Sequence, residues 1–519
     1  MIKEYFKRLL GLSFITSKAK ERLELPNLDK VYLLYNSKKK FSDDYYVDNQ
    51  TADDLSLDNL FLRINYTSSK LGQQYLYYLL RYPPKEKNIL EYINYCDVNH
   101  DSKNAIKKKL QKLNSDDDYH IISYLTNESI QEPKWLYTTY LIQVFLVGAL
   151  IFSFNNHFWI IPIMSLFILN FVLHYKTKQQ FNNFFIGLSR ITVLYKTVNC
   201  LFRSNNFKYN KISPSLDKAK SVLSKLWLFQ SNSLQQSEVA MIVWLLIEII
   251  KIVSLVEVQA TYRISKRFEN YKPDFLALYF LVAEIDVAIS IVEFRKSLPV
   301  YTIPTFTDTN GYIEFENVCH PLVDDCHPNS ILINNKSVFI TGSNMSGKTT
   351  FLRTVAINML LARSINTCFA SKAILVECNV YSSININDEL DEGKSFYLAE
   401  LSRLKYFVDL STEPKQNNLF LIDEILKGTN GYDRCLISEG ILKFMIESDK
   451  NIIIASSHDI DLIGKLKCDY KLYHFKEDIK ENELVFDFLL KDGSTTKSNA
   501  IKFLKLLQFP DIIINQLKA

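Results

Sequence analysis

Glycine is scarce in this chain of 519 residues, 13 in all, proline is no commoner, and no tract is repeated or of low complexity. Folds built on repeats or biased segments are thereby excluded. The eight cysteines (Cys96, Cys200, Cys319, Cys326, Cys368, Cys378, Cys435 and Cys468) include no CxxC pair. That spacing argues against a zinc site and against a disulfide framework, and for reduced thiols on the cytosolic side. Charge of one sign is missing too: 61 basic residues against 57 acidic leave a net +4. No global field announces a nucleic-acid or membrane partner, which leaves room only for a local basic face. The first twenty residues, MIKEYFKRLLGLSFITSKAK, carry charges within their apolar stretch and lack a small-residue cleavage site, so they do not read as a secretory signal. A basic amphipathic helix resting on a membrane surface is the alternative there. The length exceeds one ordinary core, and two to four structural units are expected.

What the chain does have is a pair of uncharged apolar runs. Residues 136–154 and 158–175 each lack any charge, and only Asn155, Asn156 and His157 separate them. Each is long enough to cross a hydrocarbon layer of roughly 30 Å at about 1.5 Å per residue, and the short connection makes them antiparallel. A buried hairpin of a soluble core would show a polar stripe, and neither run has one. Lys134 and Trp135 precede the first run, and Lys176 and Lys178 follow the second. Both ends of a transmembrane hairpin would then face the cytoplasm. A later run, 239–258, is interrupted by Glu248, Lys251 and Glu257 near one helical face, which suits a long packed helix better than a third span.

Residues 1–52 read as a polar lead-in, with Lys38, Lys39, Lys40, Asp43 and Asp44 in a loop. Helical periodicity runs over 53–130, where Pro83 and Pro84 end the first long helix, and again over 176–300. From 311 to 519 short β-branched runs (337–340, 373–376, 419–422 and 451–454) alternate with helical stretches, the pattern of a mostly parallel sheet with crossover helices.

Residues 341–350, TGSNMSGKTT, stand between the first of these strands and a helix. Gly342, Ser343, Asn344, Met345, Ser346 and Gly347 form a loop whose backbone N–H groups and following helix N-terminus can face phosphates. Lys348 reaches the β- and γ-phosphates, Thr349 offers a hydroxyl to magnesium, and Thr350 closes the phosphate-cradling segment as a further nucleotide-binding candidate. In a chain this poor in glycine, a chance match is on the order of one in a few hundred. In FLIDE at 420–424 an apolar strand delivers Asp423, a candidate holder of the magnesium shell, and Glu424, a candidate base for an attacking water. His458 closes another strand, where an imidazole can sense the γ-phosphate; a lone histidine in that position is more often structural.

TGSNMSGKTTFLR, FLIDEILKGTN and IIIASSHD resemble the ATPase domain of the MutS family of DNA mismatch-repair proteins. His320-Pro321 and Asn329 stand where that family carries its His-Pro and Pro-Asn elements. GKSFYLAEL at 393–401 and SNAIKFLKLLQFP at 498–510 also resemble family segments, and 57–84 and 281–294 resemble the start and close of its helical core and lever. The resemblance implies an α/β P-loop ATPase domain of ABC type (311–519) beside an all-α core and lever domain (53–130 and 176–300) interrupted by the transmembrane hairpin (136–175). It further implies ATP and Mg2+ as ligands, a homodimer in which Ser395 completes the partner's nucleotide site, and DNA as a candidate partner.

The departures from the family pattern are informative. The chain begins almost at the core domain, which leaves no room for mismatch-recognition and connector domains, and its first half has no Phe-x-Glu to wedge into a mispair. The hairpin lies where the family carries a DNA clamp, Cys319 replaces an arginine, and Leu426-Lys427 replaces Gly-Arg. Lys103, Lys107, Lys108, Lys109 and Lys112 form a basic stretch able to touch phosphates, though a solvated charged face explains it equally. The expected function is a membrane-anchored, dimeric MutS-like ATPase that binds DNA. The alternatives are an ABC-type transporter subunit and a membrane scaffold using ATP as a structural ligand.

Overall fold

A computed structural model describes residues 26–39, 45–84, 93, 100–126, 133–154, 156–204, 213–223, 238–343, 346–385, 396–412, 414–480 and 483–493. The first helices are α1 (Leu28–Lys39), α2 (Asn49–Asp54), α3 (Leu57–Ile64), α4 (Lys70–Arg81), α5 (His100–Leu110) and α6 (Ile121–Thr126). The apolar pair is α7 (Thr138–Ser153) and α8 (Ile160–Gln180). They lead to α9 (Asn182–Ser204), α10 (Ser213–Leu223), α11 (Glu238–Ser254), α12 (Val256–Glu269) and α13 (Lys272–Ser297). The last segment holds strands β1 (Thr305–Thr307), β2 (Tyr312–Val318), β3 (Asn329–Asn334), β4 (Val338–Thr341), β5 (Lys372–Val376), β6 (Cys378–Ser383), β7 (Asn417–Asp423), β8 (Asn451–Ser456), β9 (Lys471–Lys480) and β10 (Glu483–Asp492). Its helices are α14 (Lys348–Ile365), α15 (Phe396–Thr412), α16 (Gly431–Met445) and α17 (Ile460–Leu466).

Helix α13 is the axis of the helical part. Between Leu281 and Arg295 only Glu284 and Glu293 are less than fully buried. A helix apolar all round has to be enclosed, and α4, α9 and α10 pack along it. The one buried carboxylate on its axis, Asp286, accepts from Ser68 N (2.9 Å), Ser69 N (2.8 Å) and Ser69 Oγ (2.6 Å). It thus answers the unpaired N–H groups where α4 begins. Burial pushes its pKa up to about 6. Gly72 is required at the crossing, because a Cβ there would lie 2.2 Å from Asp286 Oδ2.

The lead-in expected over 1–52 turns out to contain part of this core. Val31, Leu34 and Tyr35 of α1 are buried at helical spacing and pack with α4. The charged neighbours that suggested a loop mask this short apolar stripe in the sequence.

Six strands form one sheet in the order β10-β9-β4-β8-β7-β6, parallel throughout except for the β9–β10 hairpin. Strands β4 and β8 are buried along their whole length, as strands covered on both faces must be. Val338, Ile340, Leu419, Leu421, Ile452 and Ile454 face the core that holds α13 and α14, while Phe339, Phe420, Ile422 and Ile453 face α15, α16 and α17. The run 373–376 differs from expectation. It is β5 of a second, four-stranded mixed sheet, order β1-β5-β2-β3, and the next strand, β6, takes the edge of the parallel sheet.

Several directional contacts join the two parts, among them those of Arg295 and Asp54. Arg295, at the end of α13, donates to Thr367 Oγ1 (2.9 Å) and Asn366 O (2.7 Å), a cation set against the C-terminus of α14. Asp54, at the end of α2, accepts from Ser382 Oγ (2.6 Å), Ile384 N (3.0 Å) and Asn385 N (2.8 Å) just past β6.

Helices α7 and α8 turn their apolar side chains outward. Leu141, Val144, Ile151, Phe154, Phe158, Ile161 and Ile168 are exposed, whereas Thr139, Asn170, His174 and Thr177 are buried. Among the described residues three helices are long and apolar enough to cross a membrane: 135–153, 157–180 and 272–297. The third is α13, enclosed by protein for most of its length. Helix α11 departs from the packed helix expected over 239–258. Leu255 adopts φ +49° and separates it from α12, Glu248 lies buried, and Ile242, Leu246 and Ile250 lie exposed.

Replacing Asp54 by alanine strips two side-chain donors, Ser382 Oγ and Gln50 Nε2, and two backbone donors of a charged acceptor. We expect a loss of stability of about 3 kcal/mol or more, read as a shifted denaturant midpoint of the detergent-solubilised chain. An unchanged midpoint would show that the α2–β6 contact carries no weight.

Candidate nucleotide site

Strand β4 ends at Thr341, and the chain turns through Gly342 and Ser343, re-emerging at Ser346 and Gly347 before α14; Asn344 and Met345 lie outside the described residues. Gly342 (φ +140°) tolerates no side chain, because a Cβ would fall 2.9 Å from Phe475 O. Ser346 closes the turn by donating to Ser343 O through its hydroxyl (2.8 Å). Lys348 is buried and bends back over the loop, donating to Gly342 O (2.5 Å) and Ser343 O (2.8 Å). Thr350, in the first turn of α14, is exposed.

Strands β7 and β8 bring the acidic pair and the histidine to the same edge. Asp423 accepts from Thr349 Oγ1 at 2.6 Å on one carboxylate oxygen and from the Ser456 hydroxyl on the other. Glu424 leaves the strand at φ +52°. Its carboxylate lies between Lys427 Nζ (3.3 Å) and the half-exposed His458 Nδ1 (3.5 Å), and its N–H donates to Ser456 O (3.1 Å). Ser395, with Gly393 and Lys394 of the segment 393–401, lies outside the described residues, as does 498–510.

Two departures noted in the sequence acquire a physical role. Lys427 is the cation that holds Glu424. Leu426 adopts φ +57° while fully buried, so a leucine occupies a left-handed backbone position that glycine fills without strain. The turn is held by Glu400, whose carboxylate accepts from Lys427 N and Gly428 N, both at 2.9 Å. Beside it opens a cavity of about 190 Å3 lined by Ser383, Asn385, Glu400, Asp423 and Glu424. Sequence reading did not single out Glu400, because its partners are backbone groups with no residue signature.

Asn329 also gains a function. Its amide donates to Phe488 O (2.9 Å) and accepts from Leu490 N (2.7 Å), pinning a bulge in β10. Phe488 is thereby set beside the loop, where its Cδ1 would be 3.3 Å from a Cβ at Gly347, and it stacks on the exposed His327 with ring centroids 5.6 Å apart. Nearby, burial and the neighbouring Cys326 push the Cys319 thiol up to about 11. His320 Nδ1 accepts from Leu322 N (3.1 Å), and burial, aided by Arg353, pushes this imidazole down to about 4.

The architecture defines a mixed α/β domain seated on a helical frame, with a strand-loop-helix and two carboxylates meeting at one sheet edge. Residues 338–519 match the family model described as MutS domain V. The chain is 28% identical over 271 residues to the DNA mismatch repair protein MutS of Staphylococcus haemolyticus (strain JCSC1435), covering 50% of this chain and 30% of that protein. The DNA mismatch repair protein MutS of Staphylococcus aureus (strain JH9) is 27% identical over 247 residues, covering 46% and 28%. The chain thus spans less than a third of the length of these relatives.

His320 titrates near 6.5 when unfolded and near 4 when folded. Between those values the unfolded chain binds a proton that the folded chain refuses, so stability falls as pH falls through the window, by at most about 3 kcal/mol. Thermal unfolding of the His320→Asn variant, which keeps an acceptor for Leu322 N, should lose this part of the acid dependence. An unaltered pH profile would mean that His320 is solvated.

Proposed function

We propose that the chain is a membrane-anchored MutS-like ATPase that binds and hydrolyses ATP as a homodimer. The observation that carries the reading is the 2.6 Å contact of Thr349 with Asp423, next to a buried Lys348 coiled on the loop carbonyls. Phosphate oxygens arriving at the loop take the lysine from Gly342 O and Ser343 O, exchanging neutral acceptors for charged ones. The rings of Phe488 and His327, exposed beside Gly347, offer a stacking surface for the base. Thr349 and Asp423 present only oxygen donors, which suits a magnesium ion, and the ion neutralises phosphate charge when bound.

Glu424 is the candidate base. Lys427 and His458 flank its carboxylate, which orients it toward a water at the loop. Ser395 completes the partner's site on the strength of the family resemblance. DNA remains the candidate partner of the helical arms. Of the basic stretch, Lys103 and Lys107 pair with Glu293 and Lys109 donates to Cys200 O, so much of its charge is engaged within the fold. A salt-dependent DNA-binding assay tests that arm of the proposal, and no binding at low salt removes it.

The outward apolar faces of α7 and α8 support a membrane hairpin, with the nucleotide domain on the cytoplasmic side. Transport receives less support, because two spans per chain make a poor pathway even when doubled.

Lys348→Ala should weaken nucleotide binding by about tenfold to a hundredfold, measured by titration of a fluorescent ATP analogue. Glu424→Gln should keep binding and abolish turnover. Intact turnover in Glu424→Gln, or none in the parent, overturns the catalytic reading. Ser395→Ala should bind normally and turn over slowly; normal turnover removes its role across the dimer.

A further inference from the structure

The exposed apolar surface does not stop at α7 and α8. Ile242, Val243, Leu245, Leu246, Ile249 and Ile250 of α11 are exposed, and Val256 at the start of α12 is 55% exposed. The polar residues of this corner point inward instead. Glu248 lies 2.9 Å from Lys178 and 3.2 Å from His174, and Glu257 lies 3.4 Å from Lys251. Helix α11 is therefore inverted relative to a water-facing helix, with Glu248 and Lys251 inside and Ile242, Ile249 and Ile250 outside.

Contacts along α8 set the path of the chain. Glu248 meets Lys178, while Val253, five residues on, accepts from Asn170 (3.1 Å), so α11 descends along α8 against its direction. At Leu255 (φ +49°) the chain reverses, and α12 climbs back until Tyr262 reaches Gln180 (3.4 Å). The reversal is deep. Asn170 lies six residues inside Lys176, about 9 Å along the helix, and Gln143 lies eight residues inside Trp135, about 12 Å.

The backbone at the reversal is provided for as backbone in hydrocarbon has to be. The last carbonyls of α11 have no partner within the helix, and unsatisfied ones cannot persist at membrane depth. Asn170 donates to Val253 O, Gln143 donates to Ser254 O, and Ser254 Oγ donates to Ile250 O (2.6 Å). Gln259 Nε2 donates to Thr139 Oγ1 (3.0 Å), which fastens α12 to α7. Side chains of the two spans thus cap a broken helix, and the ion pairs bring Glu248, Lys251 and Glu257 to the bilayer already neutralised.

We propose that the α11–α12 corner is a re-entrant membrane element: it enters the bilayer beside the α7–α8 hairpin, and Ile250 and Val256 contact lipid hydrocarbon. The occupant of this apolar face is lipid, because the face continues that of the spans at the depth of Asn170 and Gln143. The proposal rests on the membrane reading of α7 and α8, and the experiment separates the two.

The full chain is reconstituted in phosphatidylcholine vesicles. Single cysteines carrying an environment-sensitive fluorophore are placed at Ile250, Val256, Ile168 and Leu436, in a background whose other reactive cysteines are serine. All four positions are exposed, so labelling removes no packing. Quenchers are a nitroxide on the lipid acyl chain and aqueous iodide. Ile250→Cys and Val256→Cys should lose fluorescence to the lipid nitroxide as fully as Ile168→Cys, and Leu436→Cys only to iodide. Lipid quenching at Ile168 with iodide quenching at Ile250 and Val256 overturns the re-entrant corner and leaves the hairpin standing. Iodide quenching at Ile168 overturns the hairpin itself. Protection of Ile250 and Val256 from both quenchers overturns the proposal in favour of protein covering this face.

Discussion

A helix that is apolar on every side has to be covered, and α13 is such a helix. Its burial from Leu281 to Arg295 requires α4, α9 and α10 around it, and the one carboxylate inside that sleeve is tolerated only because Ser68 and Ser69 present three donors to it. The same requirement bears on α7 and α8, which are apolar in the same way but which no part of the described chain encloses. Similar compositions meet two answers within one chain. Protein supplies the cover for the first, whereas α11 and α12 cover only the polar side of the other two, and the apolar faces left exposed are what supports the proposed membrane hairpin.

The candidate nucleotide site depends on that covered axis through a few directional contacts. Arg295 holds the far end of α14, whose near end carries Lys348 and Thr349. Asp54 holds the chain just past β6, at the rim of the cavity that Glu400 and Glu424 share. Neither residue touches the loop. Each fixes an element on which a loop residue or a carboxylate is mounted, so the geometry at Asp423 is inherited from the seating of helices some distance away.

Much of this was legible in the sequence wherever chemistry ties residue type to local spacing. Lys348, Thr349 and Asp423 belong to that class, as do the strands that present them, because loop, helix start and strand end are each local. What escaped depends on contacts between distant segments. Asn329 works on Phe488 from 159 positions away. Glu400 binds two backbone N–H groups, which leave no trace in side-chain type. The exchange of β5 for β6 at the sheet edge escaped because β6, Cys378–Ser383, carries few apolar residues, and its pairing with β7 joins segments about forty positions apart. Glu248, Lys251 and Glu257 share one face of the single packed helix expected over 239–258, whereas the break at Leu255 places Glu257 on α12 and the charges meet across α8 and α12.

Helix α13 joins two regions that differ in what surrounds them. One end follows α12, whose first turn holds Glu257 among the polar contacts of α8, and the other ends in Arg295 against α14. With 26 residues the rod is about 39 Å long. A tilt of about 5° at one end displaces the other by about 3 Å, more than the slack in any hydrogen bond that holds it. On the proposed reading such a rod acts as a crank: the thickness or curvature of lipid around α8 and the closure of the loop around a phosphate would be mechanical inputs to the same shaft.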